Sequence, residues 1–166
     1  MNDRILSVLG ALAASHADPH QPETVFQAVD HALKTTVSHT LFTILMYDRA
    51  MTQSIRVYTN LEGDYPSGGR KQITSSRWAN QVIREGLPFI GNSVQDLQQV
   101  FSDHELIRSL GCASVLNMPV RWQGRTIGTL NLLHTANWYR DVCLDVMTCA
   151  AQLTAPALMM LEAQKD

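Results

Sequence analysis

The chain has 166 residues, 45% of them hydrophobic and 17% charged, a composition that suits one domain with a full hydrophobic core. Thirteen Lys and Arg against fifteen Asp and Glu leave a formal charge of −2, which gives no general attraction to nucleic acid or to an anionic membrane surface. No uninterrupted apolar run reaches the roughly 18 residues of a membrane span. Cys112, Cys143 and Cys149 form neither a disulfide framework nor a metal-ligand spacing, so a reduced, cytoplasmic protein is expected.

At the N-terminus Asp3 stands beside Arg4, and Ser7 and Gly10 break the apolar stretch, unlike a signal peptide. Ile5, Val8, Leu9 and Leu12 recur at helical spacing and predict a short amphipathic helix over residues 1–15. Asp18-Pro-His-Gln-Pro22 ends it. Pro22 suits the first turn of a second helix, with Glu23 near its positive end and Val25, Phe26, Val29, Leu33 and Val37 along one stripe. Residues 40–47 read as a strand. One parity holds Phe42, Ile44 and Met46; the other, mixed, holds Leu41, Thr43, Leu45 and Tyr47. A turn at 48–52 leads to a partner strand over 54–59 and a loop over 60–69 that is dense in turn formers.

Beyond the loop, residues 75–85 predict a helix ended by Gly86, and Phe89-Ile90 a short edge strand. A further helix spans 102–110, with a Ser102/Glu105 capping box and Gly111 as its cap. Near the C-terminus, Asn137 opens a long helix over 137–162 through Val142, Val146, Leu153 and Leu158, with Pro156 removing one backbone donor.

Between these helices lies the stretch Leu110-Gly-Cys-Ala-Ser-Val-Leu-Asn-Met-Pro-Val-Arg-Trp-Gln-Gly-Arg-Thr-Ile-Gly-Thr-Leu-Asn-Leu-Leu-His134. It reads as two apolar strands joined at Gln123-Gly124, with a proline in the first and a glycine in the second. This hairpin resembles the signature of GAF domains, small cytoplasmic sensor modules. The resemblance covers nearly the whole chain and implies a single α+β domain over residues 1–166. Its core at 22–134 would be a central antiparallel sheet of five or six strands, with the terminal helices on one face and a ligand-covering lid on the other.

With Gln123-Gly124 as the loop, Trp122 faces Arg125 and the register follows by counting. Leu116 then opposes Asn131, Met118 opposes Thr129 and Ser114 opposes Leu133. On the other face Pro119 opposes Gly128, Asn117 opposes Leu130, Val115 opposes Leu132 and Ala113 opposes His134. Period-two alternation separates the two asparagines. Gly128 is small enough to admit a closely docked helix, so its face is assigned to the terminal helices. The face with Ser114, Leu116, Met118, Thr129 and Asn131 has the apolar lining and sparse polar groups of a small-molecule site, and the resemblance implies binding on the same side. Thr43, Tyr47 and Tyr58 from the first two strands are assigned to that site.

The lid, residues 65–110, carries Tyr65, Arg70, Lys71, Arg77, Trp78 and Arg84. Charge and stacking there suit an acidic or aromatic ligand. Arg70, in a glycine-flanked loop, and Trp78 are the site candidates; Arg77 and Arg84 read as a solvated helix face. Asp103-His-Glu105 does not gather on one helical face, and capping accounts for its acids, so neither a metal nor a cofactor is expected. A thiol-dependent reductase of free methionine sulfoxide, one branch of the family, is the enzymatic rival. Cys112 reaches only the pocket rim in this reading and has no resolving partner, so no catalytic residue is assigned. The function expected is a sensory or regulatory module for an unidentified small organic molecule. It would form a homodimer through the terminal helices and act on a separate output protein, without nucleic acid or membrane. A ligand-free dimerisation domain is the alternative.

Overall fold

Helix α1 (Asn2–Ala14) forms where apolar spacing predicts it, in a computed structural model that describes residues 2–165. It buries Leu12 and leaves Leu6 71% exposed. Helix α2 (Glu23–Thr36) buries Val25, Phe26, Val29 and Leu33 along the expected stripe.

The sheet comprises β1 (Leu41–Tyr47), β2 (Gln53–Thr59), β3 (Arg70–Gln72), β4 (Phe89–Gly91), β5 (Ser114–Trp122) and β6 (Arg125–His134). Its order is β3-β2-β1-β6-β5-β4, and every pairing is antiparallel. β3 forms just after the predicted loop; three exposed residues are too few to show a period.

Between β3 and β4, helix α3 (Arg77–Ala79) widens into a π turn over Asn80–Arg84. Ser76 Oγ accepts from Ala79 N at 3.0 Å to start it, and Gly86, at φ 68°, ends it. Helix α4 (Val94–Val100) has a reciprocal capping box between Ser93 and Asp96, whereas the box expected at Ser102 and Glu105 is absent. Helix α5 (His104–Ser109) starts at Asp103, which makes no side-chain cap.

The last helix, α6 (Leu144–Ala163), begins seven residues later than its apolar spacing suggests. Asn137 is left-handed at φ 62°, and the turns after it seat Tyr139 in the core, where its hydroxyl donates to Ser38 O at 3.0 Å. Val142 and Tyr139 therefore pack inward from turns, which mimics a helical stripe in the sequence. By length and composition α6 is apolar enough to cross a membrane; its Met147, Ala150, Ala151, Ala155 and Leu158 are instead buried in the main core.

That core lies on one sheet face, where Phe42, Ile44, Met46, Leu116, Met118, Val120, Leu130 and Leu132 meet α1, α2 and α6. Gly128 permits the close approach: a Cβ there would stand 2.3 Å from Leu45 O and 2.6 Å from Leu158 Cδ1. The opposite face carries two smaller clusters. Leu41, Val115 and Leu133 pack with Tyr65, Leu97, Ile107 and Cys112, while Tyr47 packs with Ala79 and Ile83.

Two β-bulges decide which side chains reach that second face. Trp122 pairs with Arg125 as counted, but the register shifts between Val120 and Arg121, leaving Ile127 unpaired. Beyond it Ser114 opposes His134, Val115 opposes Leu133, Leu116 opposes Leu132, Asn117 opposes Asn131, Met118 opposes Leu130 and Pro119 opposes Thr129. The two asparagines thus share one face, contrary to the unbulged count, because one extra residue inverts every later pairing. A second shift between Ile44 and Leu45 pairs them with Tyr58 and Arg56 and leaves Val57 over.

Candidate functional site

Between the two small clusters lies a cavity of about 420 Å³. Thr43, Leu45 and Tyr47 of β1, Ser54 and Arg56 of β2 and Asn131 of β6 line its sheet side. Lys71 and Gln72 of β3 line one edge, and Trp78, Ala79 and Ile83 line it from the lid. Phe101 and Ser102, between α4 and α5, and Tyr65 also line it.

A chain of hydrogen bonds ties lid to sheet. Trp78 Nε1 donates to Asn117 Oδ1 at 3.0 Å, and Asn117 Nδ2 donates to Asn131 Oδ1 at 2.7 Å. Asn131 Nδ2 is held more loosely, with Thr43 Oγ1 at 3.3 Å and Thr129 O at 3.4 Å. Such long contacts leave its donors underused in a site where polar groups are few. Behind them Tyr47 Oη and Thr129 Oγ1 lie 3.3 Å apart. Burial pushes the Tyr47 phenol well above its usual range, with Thr129 opposing.

The charged end is built from β2, β3 and the lid. Arg56 Nη1 donates to Pro66 O at 2.7 Å, and the guanidinium carbon lies 3.7 Å above the centre of the Tyr65 ring. Tyr65 donates to Asp103 Oδ2 at 2.6 Å, and Lys71 Nζ stands 3.1 Å from Asp103 Oδ1. Burial acts to raise the Asp103 pKa, but the bonds from Tyr65 and Lys71 outweigh it and hold the carboxyl below its ordinary range. Tyr65 is pushed up, first by burial and then by that carboxylate. Asp103 therefore anchors the lid to β3 rather than capping α5.

Of the residues assigned from sequence, Thr43, Tyr47, Trp78 and Asn131 line the cavity. Thr129 lies one layer behind, through Tyr47. Arg70 is exposed and outside the lining, to which β3 contributes Lys71 and Gln72 instead. The bulges displace four more. Tyr58 packs 6.0 Å from Phe26 and 5.9 Å from Phe42 on the helix face, with its hydroxyl donating to Asp30 Oδ2 at 2.6 Å. Leu116 and Met118 lie in the main core, and Ser114, of their parity, donates to Thr135 O at 2.7 Å. Sequence reasoning left out Arg56, which pairs with Leu45 on the turn side of the Val57 bulge, and Asn117, which the bulged β5–β6 register brings to this face.

Cys112 does not reach the rim. It is buried with Leu41 and Val115, outside the cavity lining, and burial pushes its thiol up to about 11. Cys143 and Cys149 are exposed near and within α6. Among the described residues no group of three His, Cys, Asp or Glu side chains is placed to hold a metal ion.

No curated protein matches the chain. Solved structures share its fold at low identity. The GAF domain of an Acinetobacter phosphoenolpyruvate-protein phosphotransferase superposes with TM-score 0.77 at 10% identity, covering 99% of each chain. That of a two-component sensor histidine kinase from Bacillus halodurans gives 0.63 at 17%, covering 87% of this chain and 97% of its own. The phycoerythrobilin-bound GAF domain of a cyanobacterial phytochrome gives 0.70 at 14%, covering 100% of both. The GAF domain family model matches residues 28–158, spanning the sheet, the lid and most of α6, and the chain belongs to that family.

Proposed function

We propose that this chain is a sensory or regulatory GAF module that encloses a small organic molecule under its 65–110 lid and acts through a partner chain. The observation that carries the reading is the 420 Å³ cavity set against Asn131 and Thr43, within the usual size range of small-molecule sites. A ligand-free dimerisation domain would be expected to close its packing around Asn131; here Asn131 is buried yet borders open volume. The sensor histidine kinase and bilin-bound phytochrome neighbours add support by analogy of fold. Thiol reduction is disfavoured, because Cys112 is buried, has a raised pKa and lies outside the cavity.

Ligand-dependent ordering of the lid would shift the population of states that the helices present to a partner. The helix surface also favours a homodimer in a cytoplasmic setting: Leu6 is 71% exposed, Ile5, Val8 and Leu9 are half-buried, and the cysteines are free. Native mass spectrometry of the purified chain tests both points. A reproducible extra mass per chain and a dimer peak are the expected results. A bare chain that also gives no amide shifts around the cavity with any small molecule screened would leave the dimerisation reading in its place.

A further inference from the structure

The charged side chains that line the cavity are of one sign. Arg56 and Lys71 line it, Arg84 lines a smaller cavity sharing Ile73, Thr74, Ser76, Ala79 and Ile83, and neither lining contains an Asp or Glu. Lys71 already faces Asp103. The partners described for Arg56, the Pro66 carbonyl and the Tyr65 ring, carry no countercharge. The Arg56 Nε–H is buried and makes no hydrogen bond among the described residues. Buried donors without acceptors are uncommon and costly, and those of a guanidinium especially so. With Nη1 committed to Pro66 and Nε closed to solvent, Arg56 still brings to the lining a cation with no countercharge among these partners, a setting that favours an anionic ligand such as a carboxylate.

At the other end the groups are neutral. Asn131 and Thr43 offer an amide and a hydroxyl, while Leu45, Ala79, Ile83, Phe101 and the Trp78 ring supply apolar wall. Asn131 and Arg56 stand on strands separated only by β1 and are staggered by two residues along them, about 12 Å apart from backbone to backbone at the usual strand spacing and rise. A single planar ring bearing an acidic arm matches that separation.

Resting on the reading of this cavity as a ligand site, we propose that it selects small organic carboxylates. The acid would sit on Arg56 and Lys71, the apolar or aromatic body beneath Trp78, and a polar tail against Asn131 and Thr43. Matched probes isolate the charge: 4-hydroxyphenylacetate and indole-3-acetate, each beside its primary amide, titrated into the full chain and followed by backbone amide shifts. At least one acid binds tenfold or more tightly than its amide, with shifts at Thr43, Lys71, Trp78 and Asn131. Lys71→Met and Arg56→Met each erode that ratio at least threefold, and Lys71→Arg retains it. Lys71 lies on an exposed edge strand, so its variants keep the test independent of folding losses at Arg56. Equal binding of acids and amides would overturn the carboxylate inference and leave the ligand-site reading standing. No cavity shift with any of the four at millimolar concentration would overturn both.

Discussion

The bond between Trp78 and Asn117 connects the lid to the sheet at the centre of the candidate site, and a double-mutant cycle measures it. Trp78→Phe removes the indole donor and leaves Asn117 Oδ1, on a fully buried side chain, without its 3.0 Å partner. Asn117→Leu keeps the branching of the side chain but orphans Trp78 Nε1, and also Asn131 Oδ1, whose donor at 2.7 Å is lost. Each unsatisfied buried group costs about 1–3 kcal/mol. Asn117→Leu, with two such groups offset by added apolar contact, is expected to lose about 2–4 kcal/mol. Trp78→Phe, with one orphan and some lost packing, loses about 1.5–3 kcal/mol. In the double variant the Asn117–Trp78 bond has no surviving half to be orphaned, so its loss falls short of the sum by about 1–2 kcal/mol. Urea unfolding followed by far-UV circular dichroism reads all four proteins without relying on Trp78 as reporter. Additivity within about 0.3 kcal/mol would refute the argument, since the two side chains would then not share a bond that matters.

Three further expectations come from other parts of the structure. Gly128→Ala places a Cβ against the Leu45 carbonyl at 2.3 Å, where backbone must move; a loss of about 1–3 kcal/mol in urea unfolding is expected, and an unchanged midpoint would contradict the close helix–sheet packing. Asp103→Asn tests a carboxyl whose folded pKa is depressed. Such a group stabilises above its unfolded pKa and loses that contribution as pH falls through the folded value, so the variant is less stable than wild type at pH 7, with the gap closing below about pH 4. For Cys112, raised from 9.0 to about 11, the sign reverses: its contribution is complete below pH 9 and is lost as pH rises toward 11. Wild type therefore loses stability relative to Cys112→Ala across that window, and a thiol reagent at pH 8 labels Cys143 and Cys149 well before Cys112.

Most of the architecture was legible because burial imposes periods on the sequence. The stripe Val25, Phe26, Val29 and Leu33 gave α2 its buried side, and the apolar parity of β1 identified the face against the helices. Gly128 announced a close contact that α6 makes through Leu158. The misplaced start of α6 has an equally local cause. Tyr139 is buried and Val142 half-buried ahead of the helix by long-range contacts, including the Tyr139 bond to Ser38, and their spacing happens to continue the helical pattern of Val146. Periodicity records which residues are inside, not which backbone conformation put them there.

The site was less legible for a related reason. Counting pairs outward from Gln123-Gly124 is sound until a bulge intervenes, and Ile127 carries no residue signal that distinguishes it from a paired strand position. That one unpaired residue moves Asn117 beside Asn131 and sends Ser114, Leu116 and Met118 to the other face. Val57 does the same in β2, turning the expected Tyr58 to the helix face while Arg56, on the turn side of the bulge, keeps its place opposite Leu45. Together the bulges remove a phenol, a hydroxyl and two aliphatic side chains from the expected lining, and bring a bonded amide behind Asn131. The unbulged count leaves Asn131 among aliphatic side chains, whereas the bulged sheet backs it with the Asn117 amide that Trp78 holds.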